Sequence, residues 1–164
     1  MAQVQALERN KRYAVIRVRG VNNTRKTINA TCKLMNIAKI HNLSFIDDRI
    51  SYRGMLQKAK DTITWGEVNV EMVEQVLSKW GRLPGNKVLT DAYMKEKTKF
   101  ATIKDFAKAF VDFKAELKDV PELKPWFRLH PPRKGYEATK LPYSIGGSLG
   151  YRGESINQLI KKMT

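Results

Sequence analysis

The tightest constraint on folding lies in residues 13–68. Tyr13 to Gly20 alternate, with Ala14, Ile16 and Val18 on one side and Tyr13, Val15, Arg17 and Arg19 on the other. A period of two built on branched apolar residues is the pattern of a half-buried strand, here with a basic second face. A turn through Val21 and Asn22 follows, and Thr24 is placed to cap a helix carrying Ile28, Cys32, Met35 and Ala38 or Lys39 on one stripe. A second strand covers Leu43 to Asp47, a short helix runs from Tyr52-Arg53-Gly54-Met55 through Leu56 and Ala59, and a third strand covers Thr62 to Val68. Strand, helix, strand, helix, strand in so short a stretch admits few topologies. With right-handed crossovers it forms the split βαβ sheet of ferredoxin-like folds, covered by two helices. Cys32 lies on the apolar stripe and reads as a core residue, because no histidine or acid stands beside it in sequence to activate a thiol.

The remainder is predicted as an extension of that core. Asn69 is placed to cap a helix whose Val70, Val73, Val76, Leu77 and Trp80 form a stripe and which closes at Gly81. A shorter helix spans Asp91 to Lys97, and Thr102 with Asp105 makes a capping box before Ile103, Phe106, Phe110, Phe113 and Leu117. Phenylalanines at those spacings are packing residues, not a stacking platform. After Val120 the composition changes: five of the six prolines fall between Pro121 and Pro142, and five of the ten glycines between Gly135 and Gly153. That is irregular chain. One extended piece interrupts it, Trp126 to His130, where Phe127 and Leu129 alternate with Arg128 and His130, and a helix from about Glu154 to Met163 ends the chain. The division is an α+β chain with a ferredoxin-like core at 1–68, a helical extension packing on it at 69–120, and a Pro/Gly-rich basic arm with a C-terminal helix at 121–164.

Charge narrows the function. The 164 residues hold 31 Lys and Arg against 16 Asp and Glu, a net +15, too much positive charge for a chain without an anionic partner. It is unevenly spread, at +10 over residues 1–60, zero over 61–120 and +5 over 121–164. The two ends are expected to bind and the middle to scaffold. The polar first residues and the absence of a long apolar run predict neither export nor a membrane span. One cysteine and two histidines 89 positions apart, His41 and His130, predict a reducing cytoplasm, no cofactor and no structural metal.

Four groups of residues carry the candidate contacts. The first is Arg17 and Arg19 with Asn22, Arg25 and Lys26; the second is Arg49 with Tyr52 and Arg53; the third is Arg128, His130, Arg133 and Lys134; the fourth runs from Lys140 to Arg152. Arginine and lysine neutralise phosphates, and open N–H groups at a helix start add an anion site. Tyr52 and Tyr136 either stack on unpaired bases or pack at the surface. Irregular Gly, Pro and Arg-rich loops suit folded RNA, whereas reading a DNA major groove needs an exposed polar helix that is not evident here. Enzymatic readings fail on local grounds. Gly146-Gly147-Ser148-Leu149-Gly150 is followed by no Lys-Ser/Thr and preceded by no buried strand, so it is neither a P-loop nor a dinucleotide fingerprint. His130 lacks a carboxylate to orient it and reads as a hydrogen-bonding or stacking contact to RNA.

These motifs match a known family. Ile16-Arg17-Val18-Arg19-Gly20, Tyr52-Arg53-Gly54-Met55, Phe127-Arg128-Leu129-His130-Pro131-Pro132-Arg133-Lys134-Gly135, Gly146 to Gly153 and Ile156-Asn157-Gln158-Leu159-Ile160 resemble the long archaeal and eukaryotic form of ribosomal large-subunit protein thirty. Their order and spacing cover nearly the whole chain, and Arg-Leu-His-Pro-Pro-Arg is the most specific element. The resemblance implies a non-enzymatic constituent of the large ribosomal subunit, a ribonucleoprotein component of translation in the cytoplasm. Such a protein holds folded large-subunit rRNA near 5S rRNA beside neighbouring ribosomal proteins. Carried over by position, the contacts would be Arg19, Asn22, Arg25, Arg49, Arg53, Arg128, His130, Arg133 and Lys134. Tyr151 departs from the pattern, which more often has Asn there. The alternative reading is a general RNA chaperone or RNA-processing factor.

Overall fold

A computed structural model describes residues 11–22 and 24–164; the polar first ten residues and Asn23 lie outside them. The first half is strand β1 (Arg12–Arg17), helix α1 (Lys26–Leu34), strand β2 (Asn42–Asp47), helix α2 (Ile50–Ala59) and strand β3 (Ile63–Glu67). Helices α3 (Val70–Trp80), α4 (Asp91–Lys97) and α5 (Ile103–Val111) follow, then two-residue strands β4 (Phe127–Arg128) and β5 (Gly150–Tyr151), and helix α6 (Ile156–Met163). The sheet order is β4-β2-β1-β3-β5. Strand β1 pairs antiparallel with both β2 and β3, so these two run parallel to each other with β1 inserted between them, the split arrangement expected from the element order. Strand β4 adds antiparallel to β2 and β5 parallel to β3. The fold is α+β and ferredoxin-like, with a helical C-terminal extension.

Strand β1 differs from expectation in one consequential way, being buried on both faces rather than half-buried. Val15 packs with Cys32, Met35, Ile37, Ile46, Leu56, Ala59 and Ile63 beneath α1 and α2. Ala14 and Ile16 face the opposite side, joining Leu43, Phe45 and the apolar residues of α3, α5 and α6 in a second, larger cluster. The extension therefore roofs the sheet face that α1 and α2 leave open, and the molecule has three layers. Apolar area removed from water stabilises by roughly 25 cal/mol per Å². The neutral middle of the chain supplies the stripe that achieves it, with Val73, Val76, Leu77, Phe106 and Phe110 all buried.

Local chemistry accounts for the remaining departures. Strand β1 ends at Arg17 because the N–H groups of Val18 and Arg19 both donate to the Thr62 carbonyl at 3.0 Å, which halts the ladder. Arg25, not Thr24, occupies the N-cap of α1, and the Thr24 hydroxyl instead donates to Gly20 O at 3.1 Å. Helix α1 stops at Leu34, short of Ala38, and Asn36 takes a φ of 61° beyond its end. Asn69 holds the N-cap position of α3 without a side-chain cap; its N–H donates to Asn157 Oδ1 of α6 at 3.1 Å. Thr102 does cap α5, accepting from Asp105 N at 3.1 Å. That helix ends at Val111, however, so Phe113 and Leu117 are not on its stripe, and Phe113 sits at φ 60° with its ring against the Arg12 guanidinium.

The C-terminal segment is irregular but closely bonded. The Gly-rich stretch folds onto its own approach, with Gly147 N donating to Pro142 O at 2.9 Å, and a Cβ at Gly147 would strike the Leu141 carbonyl. It is a packing device, with no phosphate-loop geometry. Further along, Asn157 Nδ2 donates to Glu67 O at 2.9 Å, and the Gly153 backbone lies so close to Gly66 of β3 that any side chain there would collide with it. Gly66→Ala is therefore expected to destabilise the protein by about 2 kcal/mol or more. Urea denaturation at equilibrium measures this.

Candidate nucleic-acid interface

Strand directions sort the predicted residues into two ends of the sheet. Strand β1 finishes where β2, β3 and β5 begin and where β4 finishes. His41 N donates to Arg17 O at 2.9 Å, and Leu129 N to His41 O at 3.1 Å, across that boundary. Arg19, Asn22, Arg25 and Lys26, which leave β1, are thus brought to the same end as Arg128, His130, Arg133 and Lys134, which leave β4, and as the arm with Lys140 that approaches β5. All of these are exposed. Among the described residues, none of the cations in this set forms an ion pair with a carboxylate.

Arg49, Tyr52 and Arg53 are at the opposite end, after β2, and there the charge is matched. Arg53 forks onto Asp48 with two bonds of 2.6 Å, although its side chain is 63% exposed. Arg49 donates to Asp47 Oδ2 at 3.0 and 2.7 Å, and Asp47 also receives the buried Arg12. Lys11 meets Glu67 at 2.6 Å. Tyr52 is half-buried against the smaller apolar cluster.

Two arginines read as contacts are turned inward. Arg17 is 1% exposed. Its guanidinium donates to Arg19 O at 2.9 Å, Ala38 O at 2.9 Å, Gly20 O at 3.2 Å and Asn29 Oδ1 at 2.6 Å. Asn29 in turn donates to Val21 O and Thr24 O, both at 3.2 Å. This corrects the expectation of a basic strand face: α1 covers it, and Arg17 organises the loop that displays Asn22, Arg25 and Lys26. Arg152 is half-buried, donating to Thr64 Oγ1 at 2.9 Å and Ser148 O at 3.0 Å, with its guanidinium carbon 4.7 Å from the Tyr143 ring centroid. Burial holds its pKa below the usual arginine range.

The structure adds residues that spacing did not reveal. His130 N donates to Met163 O at 3.2 Å and Arg133 N to Lys162 O at 3.0 Å, so the last turn of α6 brings Lys161 and Lys162 to the basic end. Exposed Lys39 joins them just before β2. Only the lysine pair left a trace in sequence, as a basic last turn on a helix. Tyr136 packs rather than projecting: its hydroxyl lies 3.0 Å from His41 Nδ1, the two rings stack at 5.7 Å, and it bonds Met163 Sδ at 3.8 Å. Burial pushes the Tyr136 phenol well above its usual range and pulls the His41 imidazole below its own.

Fold and surface together define the class, a ferredoxin-like α+β protein with a roofing C-terminal extension and one end whose cations have no carboxylate partner among the described residues. A family model described as ribosomal protein L30p/L7e matches residues 13–63. The chain is 47% identical over 148 residues to large ribosomal subunit protein uL30 of Methanopyrus kandleri, covering 89% of this chain and 99% of that protein. It is 50% identical over 151 residues to the uL30 proteins of Archaeoglobus fulgidus and Methanosphaera stadtmanae, covering 92% of this chain and 99% of each. The chain belongs to the uL30 family of ribosomal proteins, in its long archaeal form. The matches run through the extension as well as the core, and each of these relatives is a protein of the large ribosomal subunit.

Two outcomes follow from this geometry. Arg17→Met strands three carbonyls and is expected to cost about 2 kcal/mol or more, with hydrogen exchange accelerating first in residues 19–25. The Arg53 hydrogen bonds hold the Asp48 carboxyl below the usual range, and Lys11 does the same for Glu67. A depressed carboxylate pKa stabilises above the unfolded value and loses that contribution as pH falls through the folded one. Stability should therefore decline below about pH 4, less steeply in Arg53→Ala. Urea midpoints between pH 7 and pH 3 test this.

Proposed function

We propose that the chain is a structural constituent of the large subunit of the cytoplasmic ribosome, where it clamps folded large-subunit rRNA with the basic end of its sheet. The resemblance implies a position near 5S rRNA and beside other large-subunit proteins. The observation that carries the reading is the convergence on one end of Arg19, Asn22, Arg25, Lys26, Arg128, His130, Arg133, Lys134 and Lys140, without carboxylate partners among the described residues. Helix α1 also starts there with no acid in its first turn and no side-chain cap, so its open N–H groups are available to a phosphate. Buried Arg17 and half-buried Arg152 act through the loops they hold. Arg49, Tyr52 and Arg53 form a second, weaker contact, since their charge is already matched in part by Asp47 and Asp48. Residues 1–68 and 121–164 supply the rRNA surface, and 69–120 keep the sheet rigid beneath it.

Reversing Arg19, Arg128 and Arg133 to Glu should abolish incorporation into large subunits while leaving the thermal melt of the free protein unchanged. Arg53→Glu should reduce incorporation less. Sucrose-gradient co-sedimentation with reconstituted subunits measures both, and normal incorporation of the triple variant would overturn the proposed surface. The salt dependence of binding to an rRNA fragment should also be shallower in the triple variant, because fewer counterions are released.

A further inference from the structure

Beside edge strand β4, at the margin of the basic end, lies a cleft of about 280 Å³ lined by Trp80, Arg82, Asn86, Lys124, Trp126 and Arg128. The alternation that buries Phe127 and Leu129 turns Trp126, Arg128 and His130 outward together. Trp126 is 36% exposed, an unusual position for an indole in a monomer surface. The Lys124 ammonium lies 5.7 Å from its ring centroid, near the outer limit of a cation–π contact, so it is loosely held. Trp80 makes an edge-on contact with His130, ring centroids 4.7 Å apart. The cleft wall thus offers an open aromatic face, the Asn86 amide and three cations, with no carboxylate among the described residues that line it.

We infer that this cleft takes a single unstacked base of the bound RNA, which lies on the Trp126 indole while Arg82, Lys124 and Arg128 hold its flanking phosphates. The inference rests on the rRNA reading above and names the RNA feature recognised, an extruded nucleotide rather than a helix backbone. Backbone-only binding would use the cations and leave Trp126 idle; stacking uses both, and every base has a face to offer. The volume is below that of a site for a drug-sized ligand and suits one base with part of its sugar. An acidic peptide would satisfy the cations but would not need the indole face.

The test uses the full chain with hexa-adenylate carrying one 2-aminopurine as the probe and an abasic strand of equal phosphate number as the comparison. Wild-type protein should quench the 2-aminopurine and bind the base-bearing strand about tenfold or more tightly than the abasic one. Trp126→Ala should erase that preference with an unchanged thermal melt, and Trp126→Phe should keep most of it. Equal affinity for the two strands, or a preference that survives Trp126→Ala, would overturn the inference, as would hexaglutamate displacing the probe as effectively as unlabelled hexa-adenylate. Normal incorporation into subunits with no base preference removes the cleft and leaves the rRNA reading standing. A base preference that depends on Trp126, without incorporation, supports the cleft and removes that reading.

Discussion

The rest of the structure depends on one strand being apolar on both faces. Ala14 and Ile16 on one side of β1 and Val15 on the other are completely buried, so the sheet needs a cover on each face. Helices α1 and α2 form one cover from within the first 60 residues, and only the extension can form the other. A strand with two buried faces also imposes a charge problem, because an arginine placed on it cannot reach water. Arg12 and Arg17, at its two ends, are both buried and answer the problem differently. Arg12 pairs with Asp47, donates to Phe110 O at 3.0 Å and Ala115 O at 3.2 Å, and so ties the sheet to the end of α5. Arg17 has no such acid in its bond set and spends its donors mainly on carbonyls of the loop beyond the strand.

That contrast gives the molecule its polarity. At the end of the sheet near Arg12, Asp47, Asp48 and Glu67 neutralise Arg12, Arg49, Arg53 and Lys11. One of these pairs, Arg12 with Asp47, is buried and the others reach the surface, and together they remove most of the local field. At the other end the buried charge of Arg17 adds to that of the exposed cations while its hydrogen bonds hold their loop in one shape. A polyanion with its own rigid fold is best met by charges whose positions are fixed beforehand, since ordering them on binding costs free energy.

The arm from Pro121 onward shows the same economy. Its glycines serve close packing, as at Gly147 against Leu141, and its polar side chains return to the sheet, with Arg152 on Thr64 and Asn157 on Glu67. Arg128, Arg133 and Lys134, which have no carboxylate partner among the described residues, are then left facing outward. Trp126 is exposed by the same alternation.

The split βαβ order, the burial of Cys32, the Thr102 cap and the inward Phe127 and Leu129 were all legible in the sequence, because each follows from periodicity or from chemistry within a few residues. The uneven charge and the family motifs were legible for the same reason. Which arginines face the solvent was not. Arg17 and Arg19 look equivalent in an alternating strand, yet the ladder stops between them when Val18 and Arg19 share the Thr62 carbonyl, and α1 closes over only the first. Arg53 and Arg133 are equally basic in composition, but one sits beside Asp48 while the other docks its backbone on the end of α6. The sequence by itself determined the elements, their faces and the family. Tertiary structure decided the sorting of charge into a neutralised end and an open one, because the burial of Arg17 under α1 and the pairing of Arg12 with Asp47 and of Lys11 with Glu67, 35 and 56 positions apart, depend on how the chain packs, which no local pattern encodes.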